Sequence, residues 1–329
     1  MGTVNEASTG SGVEVLPKEV GEVLRRAVRL NLLSLLVLAV TVTVVGLVTG
    51  QSQAMKTAWF EDLLSFLPPL AFLVGTRVIK KRPDAKHPYG HHRAIEVGHV
   101  VAGAALLAMG ILLLYGAVKG LVGQEKPPIG TVVLFGHSVW LGWLMVAVLV
   151  VTGIPPVILG RMKLKLAEPL HDKVLYADAD MNKANWMTSA STIVGVLGIG
   201  VGLWWMDAVA ASIVAVSIVR DGVLNLRTAM LDLTDARATD LDGAPHPLIE
   251  RIEQTARGTD WVDTAAARVR DEGHVFHVEL FAVPHEGQDP SVAQLRELRE
   301  SLHAVDFKVH DVVVAAVRTI PVYLEEEDR

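Results

Sequence analysis

The 329-residue chain is 51% AVILMFWYC with 20% charged residues and a mean hydropathy of +0.38, more apolar than a chain of this length needs if water is its only solvent. It has no cysteine, which excludes disulfides, thiolate zinc sites and thiol nucleophiles, so any metal must be held by oxygen and imidazole. A net charge of −6 brings no basic excess that would serve nucleic acid as a partner.

Residues 1–24 are rich in Gly, Ser, Thr and Glu, read as disordered, and contain no apolar core of the kind a cleavable signal peptide needs. A bilayer core about 30 Å thick asks for roughly 20 apolar residues per helix. Six stretches qualify: Val28 to Val48, Trp59 to Ile79, Ile95 to Val118, Val132 to Ile158, Tyr176 to Trp204 and Asp207 to Met230. The predicted architecture is therefore an α-helical polytopic membrane domain over residues 25–232. Basic residues cluster before the first span (Arg25, Arg26, Arg29), after the second (Lys80, Lys81, Arg82, Lys86) and after the fourth (Arg161, Lys163, Lys165). The positive-inside rule then puts both chain ends in the cytoplasm of a cell whose inner (plasma) membrane the protein crosses. Trp59, Trp140, Trp143, Trp204 and Trp205 fall near span ends on the opposite side, where amphipathic rings favour the interface, although an ordinary core role fits them too.

Beyond Asp232 charges become frequent. Residues 233–323 read as helix Pro247 to Arg257, strand Val262 to Val269, strand Val275 to Val283, helix Val292 to Leu302 and strand Val309 to Val317, with Gly273 at a hairpin turn. An αββαβ order builds a small α+β, ferredoxin-like cytoplasmic domain with helices on one face of its sheet. Residues 324–329 are an acidic, solvated tail.

Ionisable residues inside spans each cost about 2.5 to 3.5 kcal/mol on insertion scales unless paired or facing water. The second span carries Glu61 and Asp62, with Ser65 one turn beyond Glu61. The fifth carries Asp178, Asp180, Asn182, Lys183 and Asn185, of which Asp178, Asn182 and Asn185 share a helical face. Oxygen donors of this kind suit hard cations, magnesium, calcium or manganese. Helix-to-helix ion pairing, for instance Glu61 with Lys183, is the alternative. Between the second and third spans Asp84, His87 and His91 offer one carboxylate and two imidazoles, a set for zinc, iron or manganese, with Gly90 giving the backbone room to turn. A plain polar linker would carry the same residue types. In the tail, His277 and Glu279 share a strand face, where metal, dimer contact and solvated surface are all open readings.

These features together resemble the cation diffusion facilitator family. The resemblance is carried by six spans, the His87-Pro-Tyr-Gly90-His91-His92-Arg93 stretch, the Ala177-Asp178-Ala179-Asp180-Met181 approach to the fifth span, and the tail. It implies a homodimer that exports divalent metal in exchange for protons, with Asp84, His87 and His91 as loop ligands. It also implies paired ligands on the second and fifth spans, positions filled here by Glu61 and Ser65 and by Lys183 and Met187. A one-residue rotation of the second helix would present Asp62 instead, and a one-turn shift of the fifth would present Asp178 and Asn182. At the family's tail ligand positions stand Ala315 and Val317, with His310 displaced. Secondary-active efflux of a divalent cation (Zn, Mn or Fe) is the leading expectation, and a transport-incompetent sensor or scaffold is the second. No catalytic nucleophile, phosphate loop or protease-type His pair points to an enzyme.

Overall fold

The computed structural model describes residues 18–48, 62–81, 84–124, 130–134, 137–170, 172–240 and 243–325. Helices α1 (Lys18–Val48), α2 (Leu67–Val78), α3 (Ala94–Val122), α4 (Leu141–Leu170), α5 (Lys173–Gly200) and α6 (Met206–Leu233) form one bundle, and strands β1 (Thr131–Leu134) and β2 (His137–Trp140) form a hairpin before α4. Among the described residues, α3, α4 and α6 are long and apolar enough to cross a membrane. Polar side chains at 178, 180, 182, 183 and 185 lower the hydropathy of α5.

Several boundaries differ from the sequence expectation, among them that of the fifth span, which runs Lys173–Gly200 instead of Tyr176 to Trp204. Helix α1 starts at Lys18, so 18–24 are helical where disorder is expected. The fourth span begins at Leu141 instead of Val132, because the β-branched run Thr131-Val132-Val133 pairs as a strand with Ser138 and Val139, and a short apolar run carries no periodicity to separate the two outcomes. At its other end α4 continues to Leu170 through Arg161, Lys163 and Lys165, making helix of a stretch expected to be a basic loop.

Close backbone approach seams α3 to α6. A Cβ at Gly103 or Gly110 would lie 2.8 Å from the backbone nitrogen of Leu226 or Val219, and one at Gly222 would lie 2.6 Å from Leu107 Cα. Small residues of this kind let membrane helices gain packing where lipid offers no hydrophobic driving force.

The tail folds as α7 (Leu248–Arg257), β3 (Val262–Asp271), β4 (Phe276–Pro284), α8 (Val292–His303) and β5 (Val309–Ala316), followed by the short α9 (Val322–Glu325). Strand β4 is central, antiparallel to β3 and parallel to β5. Leu248, Ile252 and Ala256 from α7 and Leu298 and Leu302 from α8 pack with Val278, Leu280 and Val312 of the sheet in one core. A capping box, Ser291 with Gln294, starts α8. Gly273 turns β3 into β4 at φ +86, and a Cβ there would meet Ile95 of α3 at 2.7 Å, so the hairpin tip is wedged against the bundle.

Candidate functional site

Two prolines open the second helix. Pro68 and Pro69 sit in the first turn of α2, where a missing N–H costs least, and they withhold the usual helical donors from the carbonyls of Leu64 and Ser65. Residues 62–64 are helical and 65–66 form a turn before α2, so the chain is interrupted beside its own polar side chains, as in the broken helices that line transporter sites. Helix α4 carries Pro155 and Pro156 in its interior, with the same effect on the carbonyls of Val151 and Thr152.

Asp62 of the helical residues 62–64 and Pro156 of α4 border a cavity of about 530 Å³ that is otherwise lined by α1, α3, α4 and α5. Its polar lining includes Ser34, Asp62, Thr152, Asn182, Asn185 and Thr188. Ser65, 2% exposed, donates from Oγ to Asn185 Oδ1 at 3.2 Å. Asn182 donates from Nδ2 to the Asp178 carbonyl at 2.8 Å, leaving its own carbonyl oxygen available to the cavity. One carboxylate and several neutral oxygens thus face a space large enough for a cation with part of its hydration shell.

The other residues singled out in the sequence are distributed as follows. Glu61 lies outside the described residues, as does Trp59. Asp178 pairs with Lys163 of α4 at 2.7 Å, and both are almost completely buried. Lys183 turns to α6 and pairs with Asp221 at 2.7 Å. The residue of α5 that meets Ser65 is Asn185, midway between Lys183 and Met187 in sequence; the sequence shows Asn185 on the polar face but gives no partner for it. In the sequence Lys163 is one of the basic residues after the fourth span and Asp221 a charge inside the sixth, and neither shows its partner.

Asp84, His87 and His91 are gathered by a single turn, each offering a ligand atom within 4.8 Å of the others. Asp84 Oδ1 accepts from the backbone N–H groups of Lys86 and His87, the latter at 2.6 Å. The His87 N–H holds the carboxyl below its ordinary range, assisted by the Lys86 N–H and the His87 ring. Gly90, at φ +82, lets the chain fold back so that the His87 and His91 rings lie 4.4 Å apart. His91 Nδ1 is buried and has no hydrogen-bond partner. Two residues on, Arg93 donates to the Leu233 carbonyl at 2.8 Å and also to Asp235, tying the loop to the end of α6.

The bundle meets the tail through charge. His274 Nε2 lies 2.6 Å from Asp172 Oδ2, and Lys173 bridges Asp232 at 2.8 Å and Asp271 at 3.1 Å. Lys308 donates to the Leu170 carbonyl. Burial raises the Asp172 carboxyl, but the His274 contact, the Leu175 N–H and the Lys308 charge outweigh it and hold the group below its usual value. In the sheet, His277 lies 3.4 Å from Glu279 and 3.2 Å from Asp311, so its carboxylate neighbours already occupy both ring nitrogens. The His310 and His92 rings lie 5.0 Å apart, tilted by 58° to each other.

A bundle with interrupted helices around an oxygen-lined cavity, and a small sheet docked on its charged end, defines a membrane transporter for cations. The cation efflux transmembrane domain family matches residues 28–234, and the chain belongs to that family. It is 26% identical over 255 residues to the transporter YdbO of Bacillus subtilis, covering 76% of this chain and 80% of the relative. It is 23% identical over 267 residues to the manganese efflux system protein MneS of the same organism, covering 78% and 84%. MneP, also named a manganese efflux system protein of Bacillus subtilis, aligns at 23% over 315 residues, 93% of this chain and 98% of its own length.

Proposed function

We propose that this protein exports a divalent metal cation, manganese first among the candidates and iron or zinc after it, through the cavity lined by residue 62 and helices α1, α3, α4 and α5. The supporting observation is the cavity itself: Asp62 together with the amide and hydroxyl oxygens of Asn182, Asn185 and Thr188, beside a second span interrupted at residues 65–66 and the proline pair inside α4. Such a donor set is hard and nitrogen-free, which favours manganese over zinc. Two relatives named for manganese efflux add weight to that ion. Glu61 and Ser65 of the second span are counted in the proposed ligand set, with Ser65 joined to the cavity lining through Asn185. Asp178 and Lys183 flank it as charges held by Lys163 and Asp221 rather than as ligands.

In this reading residues 25–232 cross the plasma membrane six times, residues 233–323 form a cytoplasmic, ferredoxin-like domain that dimerises, and 324–329 trail into the cytoplasm. Asp84, His87 and His91 bind a second cation at the cytoplasmic mouth. Carboxylates bind metal only when deprotonated, so proton entry on the outer side displaces the cargo, and the proton gradient drives export. In proteoliposomes loaded with a manganese-sensitive dye, the wild-type chain is expected to carry Mn²⁺ and Asp62→Asn to carry none at unchanged folding. Wild-type rates in Asp62→Asn would remove the cavity from the path.

One observation favours a second reading. Ser65 stands at a position where the family resemblance implies a metal ligand, and its hydroxyl is engaged with the neutral Asn185 amide, as a metal sensor that no longer transports would have it. Metal binding without flux of any ion by the wild-type chain would establish that reading.

A further inference from the structure

We infer that Glu96 and His99 of α3 and Asp232 at the end of α6 form an additional divalent-cation site, separate from the transport cavity and from the loop site. Each of the three offers a ligand atom within 4.8 Å of the other two, and they are 1%, 2% and 3% exposed. Donors sharing one ion through bonds of about 2.0 to 2.2 Å stand at most roughly 4.4 Å apart, so a shift of a few tenths of an ångström closes the set. Two of the donor atoms are unpartnered: Glu96 Oε2 and His99 Nδ1 are buried with no hydrogen bond. A buried polar atom left in that state costs about 1 to 3 kcal/mol, a cost that coordination removes.

The ring of His99 is prepared for the role. Its Nε2 faces Asn225 Oδ1 at 3.5 Å, and Asn225 is oriented by its own amide, which donates to Asp180 Oδ2 and to the Asp221 carbonyl, both at 2.9 Å. With the asparagine oxygen turned to the ring, the proton belongs on Nε2 and the lone pair on Nδ1. Outer partners of this sort fix the tautomer that a metal needs. The charge balance agrees. Lys173 pairs with both Asp232 and Asp271, so one ammonium serves two carboxylates and a cation beside Asp232 relieves the excess negative charge. Lys173 is shared between Asp232 and Asp271, and on metal entry it keeps Asp271 as partner. Two carboxylates and one imidazole suit a first-row divalent cation, manganese, iron or zinc. Because Asp232 closes α6 and Asp271 closes β3, an ion here would bear on the seam between bundle and tail.

The test uses the full-length chain in lipid nanodiscs with both loop histidines removed (His87→Ala with His91→Ala), titrated with Mn²⁺ as the probe and followed by elemental analysis and pulsed electron paramagnetic resonance. The transport cavity contains no imidazole in its lining, so a ¹⁴N coupling to bound Mn²⁺ in this background distinguishes the new site from the cavity. Adding His99→Leu is expected to abolish that coupling and remove about one equivalent of metal per chain, and adding the isosteric Glu96→Gln to weaken the same equivalent roughly tenfold or more. Should His99→Leu fail to fold, the Glu96→Gln titration decides alone. A coupling that persists in His99→Leu, unchanged affinity in Glu96→Gln, or the absence of any nitrogen-coupled Mn²⁺ in the background protein would overturn the assignment. Loss of flux in Asp62→Asn has no bearing on these outcomes.

Discussion

Ser65 and Asn185 meet at 3.2 Å across the bundle, hydroxyl to amide oxygen, joining the interrupted second helix to the middle of α5. The contact is worth about 1 kcal/mol as a neutral hydrogen bond, too little to account for the bundle's stability. The amide also supplies an oxygen to the cavity. Asn185→Leu, which keeps the bulk, is expected to leave thermal stability in detergent within about 1 kcal/mol of wild type while lowering Mn²⁺ flux roughly tenfold or more. Asn185→Asp is expected to retain flux and bind Mn²⁺ more tightly. Equal flux in Asn185→Leu and wild type would show that α5 does not touch the cargo.

Lys163 and Asp178 behave differently, because both charges are out of water. Breaking such a pair from one side strands the other charge and costs about 3 to 5 kcal/mol, whereas replacing both with apolar groups is often neutral. Lys163→Met and Asp178→Leu are each expected to melt far below wild type, and the double variant to recover most of the loss. Recovery is read by fluorescence-detected size exclusion after heating. Two mildly affected single variants would mean that water reaches the pair.

The loop triad is tested by stoichiometry. Changing His87 and His91 together to Ala is expected to lower bound metal by about one equivalent per chain without unfolding it, since the turn is held mainly by Asp84 and backbone N–H groups. Elemental analysis showing the same metal content as wild type would remove the loop from the ligand set.

A pH dependence resides at the junction between bundle and tail. Burial pushes the Lys308 ammonium down to about 8, against the pull of Asp271 and Asp172. The folded chain therefore releases this proton at lower pH than the unfolded chain, whose lysine titrates near its ordinary 10.5. Between those values the unfolded state holds more protons, so stability rises with pH through the window and is flat below it. The full span corresponds to about 3 kcal/mol. The melting temperature of wild type minus that of Lys308→Met is expected to increase from pH 8 to pH 10. A difference independent of pH would show that Lys308 reaches water.

What the sequence reveals and what it hides divides by distance along the chain. The tail's αββαβ order follows from β-branched runs and the Gly273 turn, and its observed elements begin and end within two residues of the expected ones. Asp84, His87 and His91 are equally legible because one short turn assembles them. Partnerships between helices are not. Lys163 reads as one more cytoplasmic basic residue until Asp178 is seen beside it, and Lys183 reads as standing opposite Glu61 until Asp221 claims it. Glu96 and His99 are two polar residues in an apolar span, and nothing near them in sequence points to Asp232. The β1–β2 hairpin is hidden for another reason, since Thr131, Val132 and Val133 satisfy a hydropathy window and a strand equally well.

The glycine seam between α3 and α6 has a consequence for biosynthesis. Gly103 and Gly110 make their closest approaches to Leu226 and Val219, residues the ribosome adds only after the whole of α4 and α5. During that interval α3 lacks the helix against which its glycines pack. Chains fold from the N-terminus as they are synthesised, so α3 must be tolerated as an orphan helix. A larger residue at Gly222 would therefore do its damage late, leaving an inserted chain that quality-control proteases meet as a complete but unclasped bundle.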